Sequence, residues 1–442
     1  MSKPASLSLD QAPPITVPLR FFLTAPLFAI TAALLLLWQG PDLFSSRWNP
    51  ALLGATHLLT LGHMGLTMLG AIMQMLPVVA SAPMRRPALA AALVHTLGTG
   101  GIVLLCTGLA FTLPLALKFA LPILGSALLL FAALVVITLR RAMPHNMTAR
   151  AMRLAALMLG ATALLGLTLL SNHAFGWWLQ SREALTNLHL TWGLLGWVGI
   201  LVIGVSYQVV PMFLLTPPYP AKITRWLAAL LFILLLALAP ASHSPALRIL
   251  LGSLLAAGFA VFALTTLRLQ SQRRRKQPDV TLNFWRGGMI SLLLAVALWL
   301  AARVIPALDM AQSYNPLLGV LMIVGFAMSV INGMLYKIVP FLVWFHLQSR
   351  RGPSGPKVPN VREILPESRA RGQMWLHFAA LGSLLAAIFL PASLTYPAAL
   401  LFGASNLWLW LNVILASRTY RRINGLIIEA SGHGAAAPQI MK

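Results

Sequence analysis

Hydrophobic positions in this chain come in long unbroken runs separated by short polar connections. The runs lie near residues 18–39, 51–80, 88–113, 117–139, 151–171, 184–214, 224–242, 246–267, 284–303, 315–346, 373–391 and 395–417. A bilayer core of about 30 Å is crossed by ~20 helical residues, so the pattern predicts about twelve transmembrane helices and little protein outside the membrane. The one long polar connection is 348–373, rich in Pro, Gly and Arg, and long enough to be mobile or to dock a partner.

Three of the runs carry the same phrase. Gly62, Gly70, Gln74 and Pro77 recur as Gly196, Gly204, Gln208 and Pro211, then as Gly325, Gly333, Lys337 and Pro340. The prolines stand 134 and 129 residues apart (211 − 77 and 340 − 211), and in each copy the glycines precede the proline by 15 and seven residues. The spacing predicts an all-α polytopic protein of three pseudo-threefold, four-helix repeats, about 18–141, 150–268 and 282–422, in one membrane domain. The paired glycines let backbones approach closely in a bundle interior. Each proline frees a carbonyl one turn upstream, for which Gln74, Gln208 and Lys337 are polar-interior candidates. Asn49–Pro50 and Asn315–Pro316 are expected to cap the first and third copies.

Composition agrees with the pattern: 59% of residues are hydrophobic and 9% charged, against roughly 25% charged in soluble domains. The net charge of +24 is not a nucleic-acid signal, because its carriers fall in alternate connections. Arg85–Arg86, Arg140–Arg141, Lys222 with Arg225, the Arg273–Lys276 run, Arg350–Arg371 and Arg418–Arg422 mark one face, whereas the other holds Arg47, Lys118, Arg182, Arg248 and Arg303. The positive-inside rule then places both termini and the basic loops in the cytoplasm of a bacterial-type inner membrane, with attraction to anionic lipid. No small-residue cleavage site follows the first run, so that helix is expected to stay. Trp177–Trp178 and other tryptophans near span ends read as interfacial anchors. The lone Cys106 excludes a disulfide framework and covalent c-type haem attachment.

All eight acidic residues, from Asp10 to Glu429, lie in loops, tails or span edges, an unfavourable inventory for an ion-coupled transporter or proton pump. The buried ionisable groups expected instead are His57, His63, His95, His189, Lys337 and His377. His57 and His189 stand at nearly one depth, 20 and 22 residues before their prolines, where two imidazoles on facing helices could ligate a haem iron from both sides. His63 is about 120° around the helix from His57, and His433, like other interfacial histidines, reads as structural. Met64 and Met68 raise copper as a second cofactor candidate; core filling is the plainer role for methionine.

The phrases THLLTLGHMGLTMLGAIMQMLPVV at 56–79, LHLTWGLLGWVGILVIGVSYQVVPMF at 188–213 and VGFAMSVINGMLYKIVPFLVWFH at 324–346 resemble the second, sixth and tenth helices of subunit I in the haem–copper oxidase superfamily, particularly its cbb3-like and nitric-oxide-reductase-like relatives. The resemblance implies a low-spin haem ligand on the second helix, at His57 or His63. It also exposes departures: 318–339 lacks the tenth-helix His-x-His pair, 225–240 lacks the seventh-helix His-His pair, and His189 is the sole histidine of the sixth helix. Oxygen reduction and proton pumping are therefore not expected. The remaining likeness is to non-oxidase relatives such as the NnrS family, associated with haem, copper and nitric-oxide stress. The expectation is a b-type haem protein of the membrane, linked to respiration or nitrosative stress and served by an electron carrier or respiratory complex. The alternatives are a copper or haem transporter and a non-catalytic assembly subunit.

Overall fold

The structure, a computed structural model, describes residues 12–143, 145–177, 179–274, 279–352 and 355–434. Asp10, Trp178, Lys276 and the chain ends lie outside the described residues, as does the His433 side chain. Twelve long helices coincide with the predicted runs. They are α1 (Thr16–Gln39), α2 (Pro50–Ala80), α3 (Pro87–Ala110), α4 (Pro114–Leu139), α5 (Met147–Phe175) and α6 (Arg182–Leu214). The second half comprises α7 (Ala221–Ala237), α8 (Pro245–Ser271), α9 (Val280–Val304), α10 (Tyr314–Arg350), α11 (Glu367–Ala387) and α12 (Pro391–Gly434). All except α7 and α11 are long and apolar enough to cross a bilayer, ten helices among the described residues, and the chain is a multi-pass α-helical membrane protein. Helix α7 is short, at 17 residues, and the first turns of α11 are diluted by Arg369, Arg371 and Gln373.

The helix starts follow from local chemistry. Pro50, Pro87, Pro114, Pro245 and Pro391 open helices, where a missing N–H costs nothing. Asn49, Asn146 and Asp279 accept hydrogen bonds from first-turn amides of α2, α5 and α9, satisfying otherwise orphaned donors. The expected Asn315 cap is corrected: α10 begins one residue earlier, at Tyr314, so Asn315 and Pro316 sit inside its first turn.

The three helices bearing the repeated phrase are the interior. The most apolar stretches of α2, α10 and α6 are 89%, 72% and 67% buried, against 33–56% for the other seven spans. Around them the remaining nine helices form a closed ring, each packed on the next in the order α1, α3, α4, α5, α7, α8, α9, α11, α12 and back to α1. The Trp410 indole on α12 donates to the Leu23 carbonyl on α1 at 2.9 Å, pinning the closure.

A feature that the glycine spacing does not reveal is a π-helical segment in each interior helix: Leu58–Gly65 in α2, Trp192–Gly199 in α6 and Leu321–Met328 in α10. Each begins four residues before the first repeated glycine. The glycine pairs pack on residues seven apart in the preceding helix: Gly62 and Gly70 on Phe28 and Phe21 of α1, Gly196 and Gly204 on Met158 and Ala151 of α5, Gly325 and Gly333 on Ser291 and Phe284 of α9. A Cβ at any of the six would lie within 3 Å of its neighbour, closer than carbon atoms can pack. A π turn holds one residue more than an α turn, so eight residues of an interior helix span the same two turns as seven of its straight partner. The eight-residue interval is thus the signature of a bulge.

The prolines lie inside their helices rather than ending them. Helices α2 and α6 run three residues further and stop at Ser81 and Leu215, both left-handed with φ of 51° and 55°. Such a conformation is unfavourable for a residue with a Cβ. Helix α10 continues ten residues beyond Pro340 (350 − 340). Within the polar link 348–373, Asn360 and Glu363 close a capping box on Val361–Ile364, and Val358, Ile364 and Leu365 are buried against the bundle.

Candidate functional site

The three π segments converge. Those of α2 and α6 both pack on that of α10, and residues from all three, including Thr60, Leu194 and Val324, line one cavity of about 940 Å³. Its walls are apolar, from Leu105, Leu128, Leu159, Phe259 and Leu292. It extends to the basic-poor face of the bundle, where Arg47, Trp48, Glu183, Arg248, Arg303 and Asp309 form its outer end. π-helical segments recur at functional sites.

His57 and His189 stand on this cavity, immediately outward of the π segments of α2 and α6. Their ring centroids are 6.3 Å apart and their planes 28° from parallel. His57 Nδ1–H donates to the Leu53 carbonyl at 2.8 Å, one turn back in its own helix. His189 Nδ1–H donates across the helix interface to the Thr162 carbonyl at 3.0 Å. Because a carbonyl can only accept, both Nδ1 atoms carry the proton in the neutral rings, and both Nε2 atoms keep a lone pair. A second-sphere carbonyl holding Nδ1–H is the arrangement that orients imidazole as a metal ligand. Gly166 on α5 makes the recess for His189: a Cβ there would lie 2.8 Å from Cε1.

The other predicted residues sit elsewhere. His63 faces away from the cavity and meets α10, its Nε2 3.0 Å from Asn332 Oδ1. His377 joins the same buried layer, its Nε2 2.8 Å from Ser329 Oγ. His95 ties α3 to α1 through Thr24 Oγ1 at 2.9 Å and packs edge-on to Phe21. Met64 and Met68 are buried in the core and do not line the cavity, so the structure does not bring them to the histidine pair. Among the described residues no group of three or more His, Cys, Asp or Glu is arranged to hold a metal ion. The polar residues three positions before each proline have separate surroundings. Lys337 Nζ bonds Asp279 Oδ2 at 2.9 Å, joining α10 to the start of α9, and Gln74 Oε1 is buried without a protein partner. Gln208 is half-buried.

Several residues of the site were not singled out from the sequence. His173, near the end of α5, lies at the rim. Arg47 Nη2 donates to Asn187 Oδ1 at 2.6 Å and its guanidinium lies 4.5 Å from the Trp48 ring centroid. Partial burial lowers the Arg47 pKa and the Glu183 carboxylate opposes the shift; the group stays cationic. Arg303 pairs with Asp309 at 2.5 Å and lies over Trp299. The available signal was the location of three arginines on the face that the charge bias leaves nearly free of them.

No protein-family model matches the chain, and no curated protein is detectably similar to it. The site's own chemistry therefore carries the functional argument.

Proposed function

We propose that this membrane protein binds one b-type haem in the central cavity, with His57 and His189 as its two axial ligands. The observation that carries the reading is the pair of facing imidazoles, each with Nδ1–H tied to a carbonyl and Nε2 left as an acceptor. The two rings form a stacked pair, their centroids 6.3 Å apart and their planes 28° from parallel, and both line the cavity. The cavity, about 940 Å³, lies at the upper end of the roughly 300–1,000 Å³ that encloses ligands of drug size, and its apolar walls suit a macrocycle.

A haem held by two histidines supplies one-electron transfer, with no open iron position for a gas. That favours electron carriage or haem retention, in respiration or in relief of nitrosative stress, over oxygen reduction. An electron carrier or respiratory complex is the corresponding partner. The scaffold reading is three related four-helix units about a pseudo-threefold axis, twelve spans in all, akin to oxidase subunit I. It is supported by the matched π segments, the repeated glycine contacts and the ring order. It places the basic loops and both termini in the cytoplasm and the cavity mouth on the opposite face.

Titration of the detergent-purified protein with haemin tests the assignment. One equivalent should saturate a six-coordinate low-spin spectrum, and His57→Ala or His189→Ala should each abolish it. An unchanged spectrum in both variants overturns the ligand assignment.

A further inference from the structure

Buried polar chemistry is not shared evenly among the twelve helices. Among the described residues, thirteen of the twenty-one buried polar or charged side chains lie between Asp279 and Ser417, in the unit α9–α12, whereas α1–α4 and α5–α8 hold four each. They form a stripe along that unit. It starts toward the basic face with the Lys337–Asp279 pair. It passes Asn412, whose Nδ2 donates to Tyr336 Oη at 3.1 Å, and Gln373, whose Nε2 donates to Ser405 Oγ at 3.0 Å. One turn beyond Gln373, His377 meets Ser329. Ser329 Oγ donates to the Val324 carbonyl at 3.3 Å and Asn406 Nδ2 to the Phe402 carbonyl at 2.8 Å, and Val324 and Phe402 line the cavity. The stripe therefore reaches the cavity floor from the side opposite its mouth.

Bonding between helices does not use up these groups. Gln373, Asn406 and Asn412 each donate through nitrogen and keep an amide oxygen without a protein partner. Asn332 does the reverse, accepting from His63 through Oδ1 while its Nδ2 has no partner. The Trp285 indole N–H and His377 Nδ1 are left in the same way. Lipid offers such groups nothing, and buried polar atoms without protein partners are met by enclosed water. Donors and acceptors stand side by side here, the mixture that water alone serves through its two protons and two lone pairs. We infer that α9–α12 bind a file of internal water molecules, running from the face of the basic loops to the floor of the cavity. The inference does not depend on what the cavity holds. It gives the cavity floor a hydrated link to the face opposite its mouth.

X-ray radiolysis footprinting tests this on the full-length detergent-purified protein, because radicals formed from bound water hydroxylate the side chains beside it. Phe284, Phe22 and Phe131 are all 0% exposed, but only Phe284 belongs to the unit, packed on the Tyr336 and His377 rings. Mass spectrometry should find Phe284 modified several-fold faster than Phe22 and Phe131. In the double variant Gln373→Leu/Asn412→Leu its rate should fall to theirs. Equal rates for the three phenylalanines in the unmodified protein would overturn the inference, as would an unchanged Phe284 rate in the double variant. If that variant does not fold, the comparison within the unmodified protein decides.

Discussion

His189 can occupy its position because Gly166 leaves room for the ring. In Gly166→Ala the new methyl group would press on Cε1, so haemin affinity should fall by at least about tenfold with a stability loss of about 1–3 kcal/mol from overpacking; titration and thermal melting separate the two effects. His63 should behave in the opposite way. Its removal in His63→Ala leaves Asn332 without its partner in the core, which costs about 1–3 kcal/mol and should lower Tm while the haem spectrum persists. A lost spectrum would instead make His63 a ligand. The contrast shows what was legible at this scale. His57 and His189 stood out because buried imidazoles are costly in a membrane, and their equal depth could be counted along the helices. The rotation of His63 away from His57 could be counted too, but its partner Asn332 on α10, 269 residues away, could not. Arg47, Arg303 and His173 were hidden for another reason: single polar residues near span ends look like ordinary interfacial positions until the fold gathers them at one mouth.

The interior helices depend on an extra residue each. Deleting Ala327 from the π segment of α10 should restore regular α-helix and rotate Gly325 by about 100° relative to Gly333, driving a side chain against α9. The expected result is native helicity by circular dichroism with loss of haem binding and of a monodisperse elution profile; retention of both would show that the π segment is incidental. The repeated phrase was readable as a packing motif, and the helix runs gave the elements closely except at α12, which continues 17 residues past the predicted end at 417 (434 − 417). The bulge itself was not readable, since a glycine interval of eight has no meaning until its partner interval of seven on the neighbouring helix is known. The burial of Val358, Ile364 and Leu365 was likewise masked by the Pro and Gly content of 348–373.

At the scale of the whole molecule, the charge bias and the ring of nine helices around three define which face the cavity opens on. Cys106, the one cysteine of the chain, is buried, so introduced cysteines can be read without background. In intact spheroplasts a membrane-impermeant maleimide should label Asp42→Cys, and should reach Arg351→Cys only after the membrane is opened; the reverse pattern would invert the topology. The central claim is that the cavity where the three π segments meet holds haem between His57 and His189. It is tested most directly by a pyridine haemochrome assay on protein purified from a haem-replete host, run beside His57→Ala and His189→Ala. The account predicts about one b-type haem per chain in the parent and none in either variant. A parent protein free of haem, or variants that retain it in full, would contradict the account.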